Sequence, residues 1–171
     1  VTDEHLDDAD CDVTWIELAG SQTKSKEAII YMHGGGFTAR DDCDLLFSER
    51  VLPLFSKLYN KCAPVVCNVL YTLAETNRAT FPLAIDQVVK VKLMLENRGY
   101  RVLAIGGDSA GGNMTAGVLF KLQELQQQQI EERTITKMHC TPPCGFLISP
   151  MMDARCQSDS YKRCKYTDYL S

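Results

Sequence analysis

Residues 101–120, RVLAIGGDSAGGNMTAGVLF, decide the fold. A short aliphatic and β-branched run leads to a serine between glycines, and apolar residues at helical spacing follow it. This order predicts a buried strand over Val102–Ile105 and a helix from Ala110 to about Glu131. Ser109 is therefore expected at the sharp turn between the strand and the helix.

The residues around Ser109, GDSAG at 107–111, have the form G-x-S-x-G. A serine hydroxyl is a poor nucleophile unless a base can reach it, and a tight turn exposes it. The glycines let neighbouring backbone pass without Cβ clashes, and the start of the following helix favours a developing anion. The pattern predicts Ser109 as a catalytic nucleophile.

A second glycine-rich stretch, YMHGGGF at 31–37, follows another predicted buried strand. Consecutive glycines leave backbone N–H groups unblocked, and such donors can stabilise a carbonyl oxygen that becomes negative. The alternative is a loop that cradles phosphate, but such a loop carries Lys-Ser or Lys-Thr after its last glycine. Here Phe37-Thr38-Ala39 follows, which favours the oxyanion hole.

The rest of the chain alternates strands with helices. The predicted strands are Val13–Leu18, Ala28–Met32, Val65–Tyr71 and Gly145–Ser149, and the predicted helices are Asp41–Tyr59 and a segment that starts at Pro82 and is capped by Gly99. Apolar strands separated by helices predict an α/β fold with a predominantly parallel sheet and helices on both faces.

The length and charge of the chain narrow the classes of function. Its 171 residues predict a single domain over 1–171, and the net charge of −4 gives no reason to expect nucleic acid as a partner. No apolar run is long enough to span a membrane, and no signal peptide is visible, although the chain starts with Val1. These features predict a cytoplasmic protein.

Eight cysteines allow three interpretations. None of them forms a CxxC pair or has zinc-finger spacing, so zinc sites and disulfides are less favoured than scattered reduced thiols. Reduced thiols agree with a cytoplasmic location, and we expect neither a metal site nor a cofactor.

The sequence HGGGF followed by GDSAGGN resembles the hormone-sensitive-lipase-like branch of the α/β-hydrolases, which are esterases and lipases. Further segments match in order, at YTLAET (71–76), FPLAID (81–86), LISPMMD (147–153) and DYLS (168–171). The resemblance implies an α/β-hydrolase core that cleaves a small-molecule carboxylic ester without a cofactor. It does not indicate an oligomeric state.

Carried over by position, the resemblance assigns a role to each motif residue. Ser109 would be the nucleophile, and the backbone N–H groups of Gly35, Gly36 and Ala110 would form the oxyanion hole. Gly34 would allow the turn of the loop, and His33 would steady the loop without acting as the base.

Two departures from the family pattern concern the surroundings of the site. Thr72, Glu75 and Thr76 replace the family's Arg, Pro and Glu, and residues 77–80 look like an insertion. The glycine usual a few residues after HGGGF is also absent. Both changes are expected to alter local geometry and substrate fit.

The sequence has no clear candidates for the base and the orienting acid that would accompany the nucleophile. In this fold the triad runs Ser, then Asp or Glu, then His, but the only histidine after Ser109 is His139, which precedes the last predicted strand. A reversed order with His33 and Asp86 would put the base inside the oxyanion loop. Asp153 and Asp159 come one strand too early for the orienting acid and are predicted as turn or cap residues.

Three explanations fit this pattern. The chain is a fragment lacking its last strands and its native N-terminus, or a pseudoenzyme, or a ligand-binding protein with the hydrolase fold. The non-Met start and the ending at DYLS favour the fragment. A structural or interaction protein is a further alternative, with faint support from the cysteines and from Gln126–Gln129.

Overall fold

The computed structural model describes residues 1–19, 25–40, 46–58, 63–74, 81–131, 143–153, 155 and 157–163. Several features of the sequence lie outside these residues: part of the predicted helix 41–59, segment 75–80, His139, segment 168–171, and Cys43, Cys62, Cys140, Cys156 and Cys164. Cys11, Cys67 and Cys144 are described, and all three are free thiols.

The described residues form one six-stranded sheet with helices on both faces. The strands are β1 (Thr2–Leu6), β2 (Cys11–Ile16), β3 (Glu27–Met32), β4 (Val65–Leu70), β5 (Arg101–Asp108) and β6 (Cys144–Ile148). The helices are α1 (Leu52–Leu58), which follows a π-helical turn over Phe47–Val51, α2 (Leu83–Asn97), α3 (Ser109–Glu131) and α4 (Asp159–Arg163).

The strand order across the sheet is β1-β2-β4-β3-β5-β6. β4, β3, β5 and β6 run parallel, whereas β1 and β2 pair antiparallel with each other and β2 pairs antiparallel with β4. The predominantly parallel sheet of an α/β fold is confirmed. The carboxyl ends of the four parallel strands meet at one edge, where α/β folds place their ligands.

Two apolar clusters cover the faces of the sheet. Successive residues of β3 point to opposite faces and so belong alternately to the two clusters. Ala28, Ile30 and Met32 lie in the cluster beneath α2 and α3. Ile29 and Tyr31 lie in the cluster that contains Phe47 and Leu52. This period of two is the pattern of a strand buried on both sides. Helices on both faces are thereby confirmed.

Several boundaries differ from the predicted ones. β1 was not predicted, because its residues TDEHL are mostly polar and exposed; β2 ends at Ile16 rather than Leu18. β5 reaches Asp108, three residues beyond the predicted end, since Gly106 and Gly107 pair with β3 and β6 despite the low strand propensity of glycine. The strand therefore runs directly to Ser109.

The predicted cap of α2 is confirmed. Gly99 has a φ of +79°, its N–H donates to the Glu96 carbonyl, and the Tyr100 N–H donates to the Leu95 carbonyl. This pair of hydrogen bonds is the Schellman motif, which satisfies carbonyls left over at a helix end.

Candidate active site

Ser109 lies where β5 ends and α3 begins, with a φ of +49°. A side chain in this left-handed region is strained, and such strain persists only where the surroundings enforce it. Close packing follows directly after the turn, at Gly111, where an added Cβ would collide with the Met32 carbonyl oxygen at the end of β3. A glycine two residues after the serine therefore lets the first turn of α3 press against β3.

The glycine loop follows β3 at the same edge of the sheet. Gly35, Gly36 and Phe37 have positive φ values of 103°, 63° and 66°, and the N–H groups of Thr38 and Ala39 both donate to the Gly35 carbonyl. A side chain on Gly35 would collide with the Ala39 carbonyl, so this tight reversal requires glycine there.

The predicted oxyanion hole depends on the backbone amides of the glycine loop. Among the backbone hydrogen bonds outside helices and strands, none in the described part of the chain uses the N–H of Gly35 or Gly36. Ala110 stands in the first turn of α3, where N–H groups have no partner within the helix. The three amides named by the resemblance therefore lie on the two segments that flank the candidate site.

The loop approaches the serine turn so closely that Gly34 has no room for a side chain. A methyl group placed on Gly34 would lie 3.4 Å from Ser109 Cβ and would collide with the Asp108 carboxylate. Gly34 does not have a positive φ, so its lack of a side chain serves this close approach, whereas the turn of the loop is made by Gly35 and Gly36. The structure thus brings the HGGG and GDSAG motifs together.

Asp108 has a partner that the motifs did not indicate. The Tyr31 hydroxyl donates a hydrogen bond of 2.7 Å to Asp108 Oδ1. The Tyr31 ring is buried between Phe47, at a centroid distance of 4.7 Å, and Phe146, at 6.3 Å. The two residues are 77 positions apart in the sequence, and only the pairing of β3 with β5 brings them together.

His33 is fully buried at the base of the glycine loop. Its Nδ1 lies 2.6 Å from the Gly34 carbonyl oxygen and must donate to it, because a carbonyl can only accept. The imidazole stacks on Tyr71 with a centroid distance of 4.4 Å, and the Tyr71 hydroxyl donates to the His33 carbonyl. Burial raises the pKa of Tyr71, which keeps this phenol protonated as a donor.

The segment after β6 forms hydrogen bonds with the first turns of α3. The Met151 N–H donates to the Ser109 carbonyl, and the Asn113 side-chain amide donates to the Met151 carbonyl at 2.7 Å. Asn113, the last residue of GDSAGGN, thus bonds to the same residue, Met151, that bonds to the Ser109 carbonyl. Its role is to hold this segment against the helix.

The remaining titratable candidates in the described part of the chain include His5, Asp153 and Asp159, whereas His139 lies outside it. His5 is on β1, four strands from β5 and thus about 19 Å across the sheet. A hydrogen bond with Asp12 raises the pKa of His5. Asp153 accepts hydrogen bonds from the backbone and side chain of Arg155, which lower its pKa. Asp159 is the first residue of α4.

Thr72, which replaces the family's arginine, forms hydrogen bonds with Gln87 of α2. Its N–H donates to Gln87 Oε1, and its hydroxyl accepts from Gln87 Nε2 at 2.8 Å. Gln87 is almost completely buried and also donates to the Asp10 carbonyl. Glu75, Thr76 and the apparent insertion 77–80 lie outside the described residues.

Neither a metal-binding cluster nor a membrane-spanning helix is present among the described residues. No three His, Cys, Asp or Glu side chains among them are grouped so that they could hold a metal ion. None of their helices combines the length and the apolar character needed to cross a membrane.

Comparison with known proteins extends this picture. A family model described as the α/β hydrolase fold matches residues 29–171. The chain is 28% identical over 143 residues to mug81 of Schizosaccharomyces pombe, provisionally named a steryl acetyl hydrolase; the match covers 83% of this chain and 35% of that protein.

Solved structures share the fold. An esterase/lipase from an uncultured bacterium superposes with a TM-score of 0.66 at 25% identity, covering 98% of this chain and 50% of the other. An esterase of the bacterial hormone-sensitive lipase family gives a TM-score of 0.65 at 24% identity with the same coverage. The chain therefore spans about half the length of these structures, and the predicted resemblance is confirmed.

Proposed function

Because the chain belongs to the α/β-hydrolase fold family, we propose that it is the nucleophile-bearing part of a serine hydrolase that cleaves carboxylic esters. The observation that carries the proposal is the close approach of Gly34 to the Ser109 turn, where an added Cβ would lie 3.4 Å from Ser109 Cβ, together with the φ of +49° at Ser109. A strained serine beside a loop of unhindered amides is the arrangement that acyl transfer needs.

The proposed reaction has two steps. Ser109 Oγ attacks the ester carbonyl carbon while a base takes its proton, and the N–H groups of Gly35, Gly36 and Ala110 stabilise the oxyanion, each by about 3 kcal/mol. The C–O bond to the alcohol then breaks, the alcohol leaves with the proton, and an acyl-serine remains. Water attacks this acyl group in the same way, which releases the carboxylic acid and restores Ser109.

His33 and Gly34 support the site in this proposal without taking part in proton transfer. His33 Nδ1 donates to the Gly34 carbonyl, and its ring is covered by Tyr71, which suits a residue that fixes the loop. His5 is too distant, so we propose that none of the described histidines is the base. The described residues alone should then turn over esters very slowly, since an enzyme without its histidine keeps a rate only about 10³–10⁴-fold above that of the reaction in water.

The names of two related proteins support a proposal for the substrate class. The Schizosaccharomyces pombe protein is named for acetyl esters of sterols, and a further related structure, of the esterase EstE5, was soaked with p-nitrophenyl butyrate. We therefore propose esters with short acyl groups as substrates.

Hydrolysis of p-nitrophenyl acetate and butyrate by the full-length protein tests this proposal. Wild-type protein should release p-nitrophenol, and Ser109→Ala should lower kcat/KM at least about a thousandfold. Ser25→Ala removes a hydroxyl near the opposite end of β3 and should behave as wild type. Equal hydrolysis by Ser109→Ala and wild type would refute the proposal.

A further inference from the structure

The chain turns at the ends of β5 and β6 in the same way. Asp108 and Ile148 are the last residues of these strands and pair with each other, so Ser109 and Ser149 are the first residues beyond the paired strands. Both serines have a left-handed backbone, with φ values of +49° and +43°. A residue other than glycine adopts this conformation only where its surroundings hold it. The two neighbouring strands therefore leave the sheet through strained turns of the same hand.

The segment after β6 then packs closely against α3. A Cβ added to Gly112 would lie 3.0 Å from Pro150 Cβ, which is tighter than an ordinary van der Waals contact. Met151 is bonded at both of its backbone polar groups. Its N–H donates to the Ser109 carbonyl at 2.9 Å, and its carbonyl accepts from the Asn113 side-chain amide at 2.7 Å. Since residues four apart lie on one face of a helix, α3 holds the Met151 backbone at two points of a single face.

The hydrogen bond from Met151 acts on the peptide group that carries a proposed oxyanion donor. The Ser109 carbonyl and the Ala110 N–H belong to one peptide unit, which is planar and trans, so the two groups point in opposite directions. A donor that fixes the direction of this carbonyl therefore also fixes the direction of the N–H. Ala110 stands in the first turn of α3, where an N–H has no partner within the helix to orient it.

From this geometry we propose that Asn113 is a positioning residue for the reaction of Ser109, and that it acts through Met151 on the direction of the Ala110 N–H. The proposal rests on the proposed function. A donor stabilises an oxyanion only when it is aimed at the place where the negative charge develops, and complete loss of one donor lowers kcat about 10²–10³-fold. An amide that still donates but is turned aside should lose part of this effect, about tenfold in kcat.

Two measurements on full-length Asn113→Ala test the proposal: hydrolysis of p-nitrophenyl butyrate, and inhibition by trifluoromethyl propyl ketone. The ketone carries the same propyl group as the ester. The Ser109 oxygen bonds to the ketone carbon, the electron pair of the C=O π bond moves to the ketone oxygen, and the serine proton goes to the base of the enzyme. The adduct therefore resembles the transition state, and its affinity depends on the oxyanion donors.

We expect kcat of Asn113→Ala to fall about tenfold and the inhibition constant of the ketone to rise by a similar factor, while KM changes less than about twofold. This combination separates the donor from ordinary substrate binding, because a weaker hold on the propyl group would raise KM as well. An unchanged kcat, or a higher KM with an unchanged kcat, would overturn the proposal.

Two further variants separate the direction of the amide from the stability of the helix. Asn113→Asp keeps the size of the side chain and removes the donor, so it should lower kcat at least as much as Asn113→Ala; a wild-type kcat in this variant would overturn the proposal. Thr115→Val is the matched control, because the buried Thr115 hydroxyl donates to the Gly111 carbonyl inside α3 and not to Met151. It should keep the wild-type kcat and inhibition constant. An equal loss of kcat in Thr115→Val and Asn113→Ala would also overturn the proposal.

Failure of this proposal differs from failure of the proposed function. If the wild-type protein hydrolyses the ester through Ser109 and both Asn113 variants match it, only the positioning proposal falls. If the wild-type protein neither hydrolyses the ester nor binds the ketone, the proposed function falls, and the positioning proposal falls with it.

Discussion

The hydroxyl of Tyr31 lies 2.7 Å from Asp108 Oδ1 and joins the strand that leads into the glycine loop to the residue before Ser109. The carboxylate of Asp108 also packs against Gly34. A single side chain thus contacts the strand, the loop and the serine turn. We infer that Asp108 sets the position of Ser109 relative to the amides of the loop.

Tyr31→Phe tests this positioning role. The variant keeps the ring packed against Phe47 but removes the donor, which should lower the free energy of unfolding by about 1–2 kcal/mol. In the full-length protein, the rate of fluorophosphonate labelling should fall by about tenfold, since displacement of reacting groups is costly.

Two variants of Asp108 separate position from charge. Asp108→Asn keeps an oxygen that can accept from Tyr31, and Asp108→Ala does not. If the residue positions the turn, Asp108→Asn should be labelled faster than Asp108→Ala. Wild-type labelling rates in both Tyr31→Phe and Asp108→Ala would contradict the inference.

The strained backbone at Ser109 predicts an unusual order of stabilities. Alanine at this position keeps a Cβ at a φ of +49°, whereas glycine removes the steric cost of that conformation. Ser109→Gly should therefore be more stable than Ser109→Ala by about 1 kcal/mol, opposite to the usual preference for alanine. Urea denaturation of the two variants measures the difference, and greater stability of the alanine variant would show that the turn is not strained.

Gly111 is a second position where we expect alanine to be less stable than glycine, against the usual helix propensities. Alanine normally stabilises a helix relative to glycine by about 1 kcal/mol, but at Gly111 the methyl group would collide with the Met32 carbonyl. We expect Gly111→Ala to lower the free energy of unfolding by at least about 2 kcal/mol, because backbone must move.

Gly99→Ala is the control for the Gly111 variant. An added Cβ at Gly99 meets nothing within 4 Å, so this substitution should cost only the strain of its positive φ, about 1 kcal/mol. A smaller loss at Gly111 than at Gly99 in thermal or urea denaturation would contradict the close approach of α3 to β3.

The buried strands and the turn at Ser109 could be predicted from short segments of the sequence. The apolar runs of β3 and β4 are buried on both faces, so they stand out without knowledge of their partners. The glycines around Ser109 predict a tight turn because few other residues can occupy it. The positions of these elements follow from single segments of sequence.

Features that depend on distant pairing could not be predicted in this way. β1 buries only Leu6 in the apolar core, and its polar residues pair with other elements, such as Asp3 with Thr14 and Glu4 with Arg98. The hydrogen bond between Tyr31 and Asp108 exists only because β3 and β5 are neighbours in the sheet. The left-handed φ at Phe37 is likewise fixed by the fold of the loop and not by the residue type.

Labelling of the full-length protein with a fluorophosphonate tests the central claim most directly, because this reagent forms a covalent bond only with an activated serine. We predict that the wild-type protein takes up one label, that peptide mass spectrometry places it on Ser109, and that Ser109→Ala takes up none. A folded wild-type protein that remains unlabelled, or a label on another serine that persists in Ser109→Ala, would contradict the account.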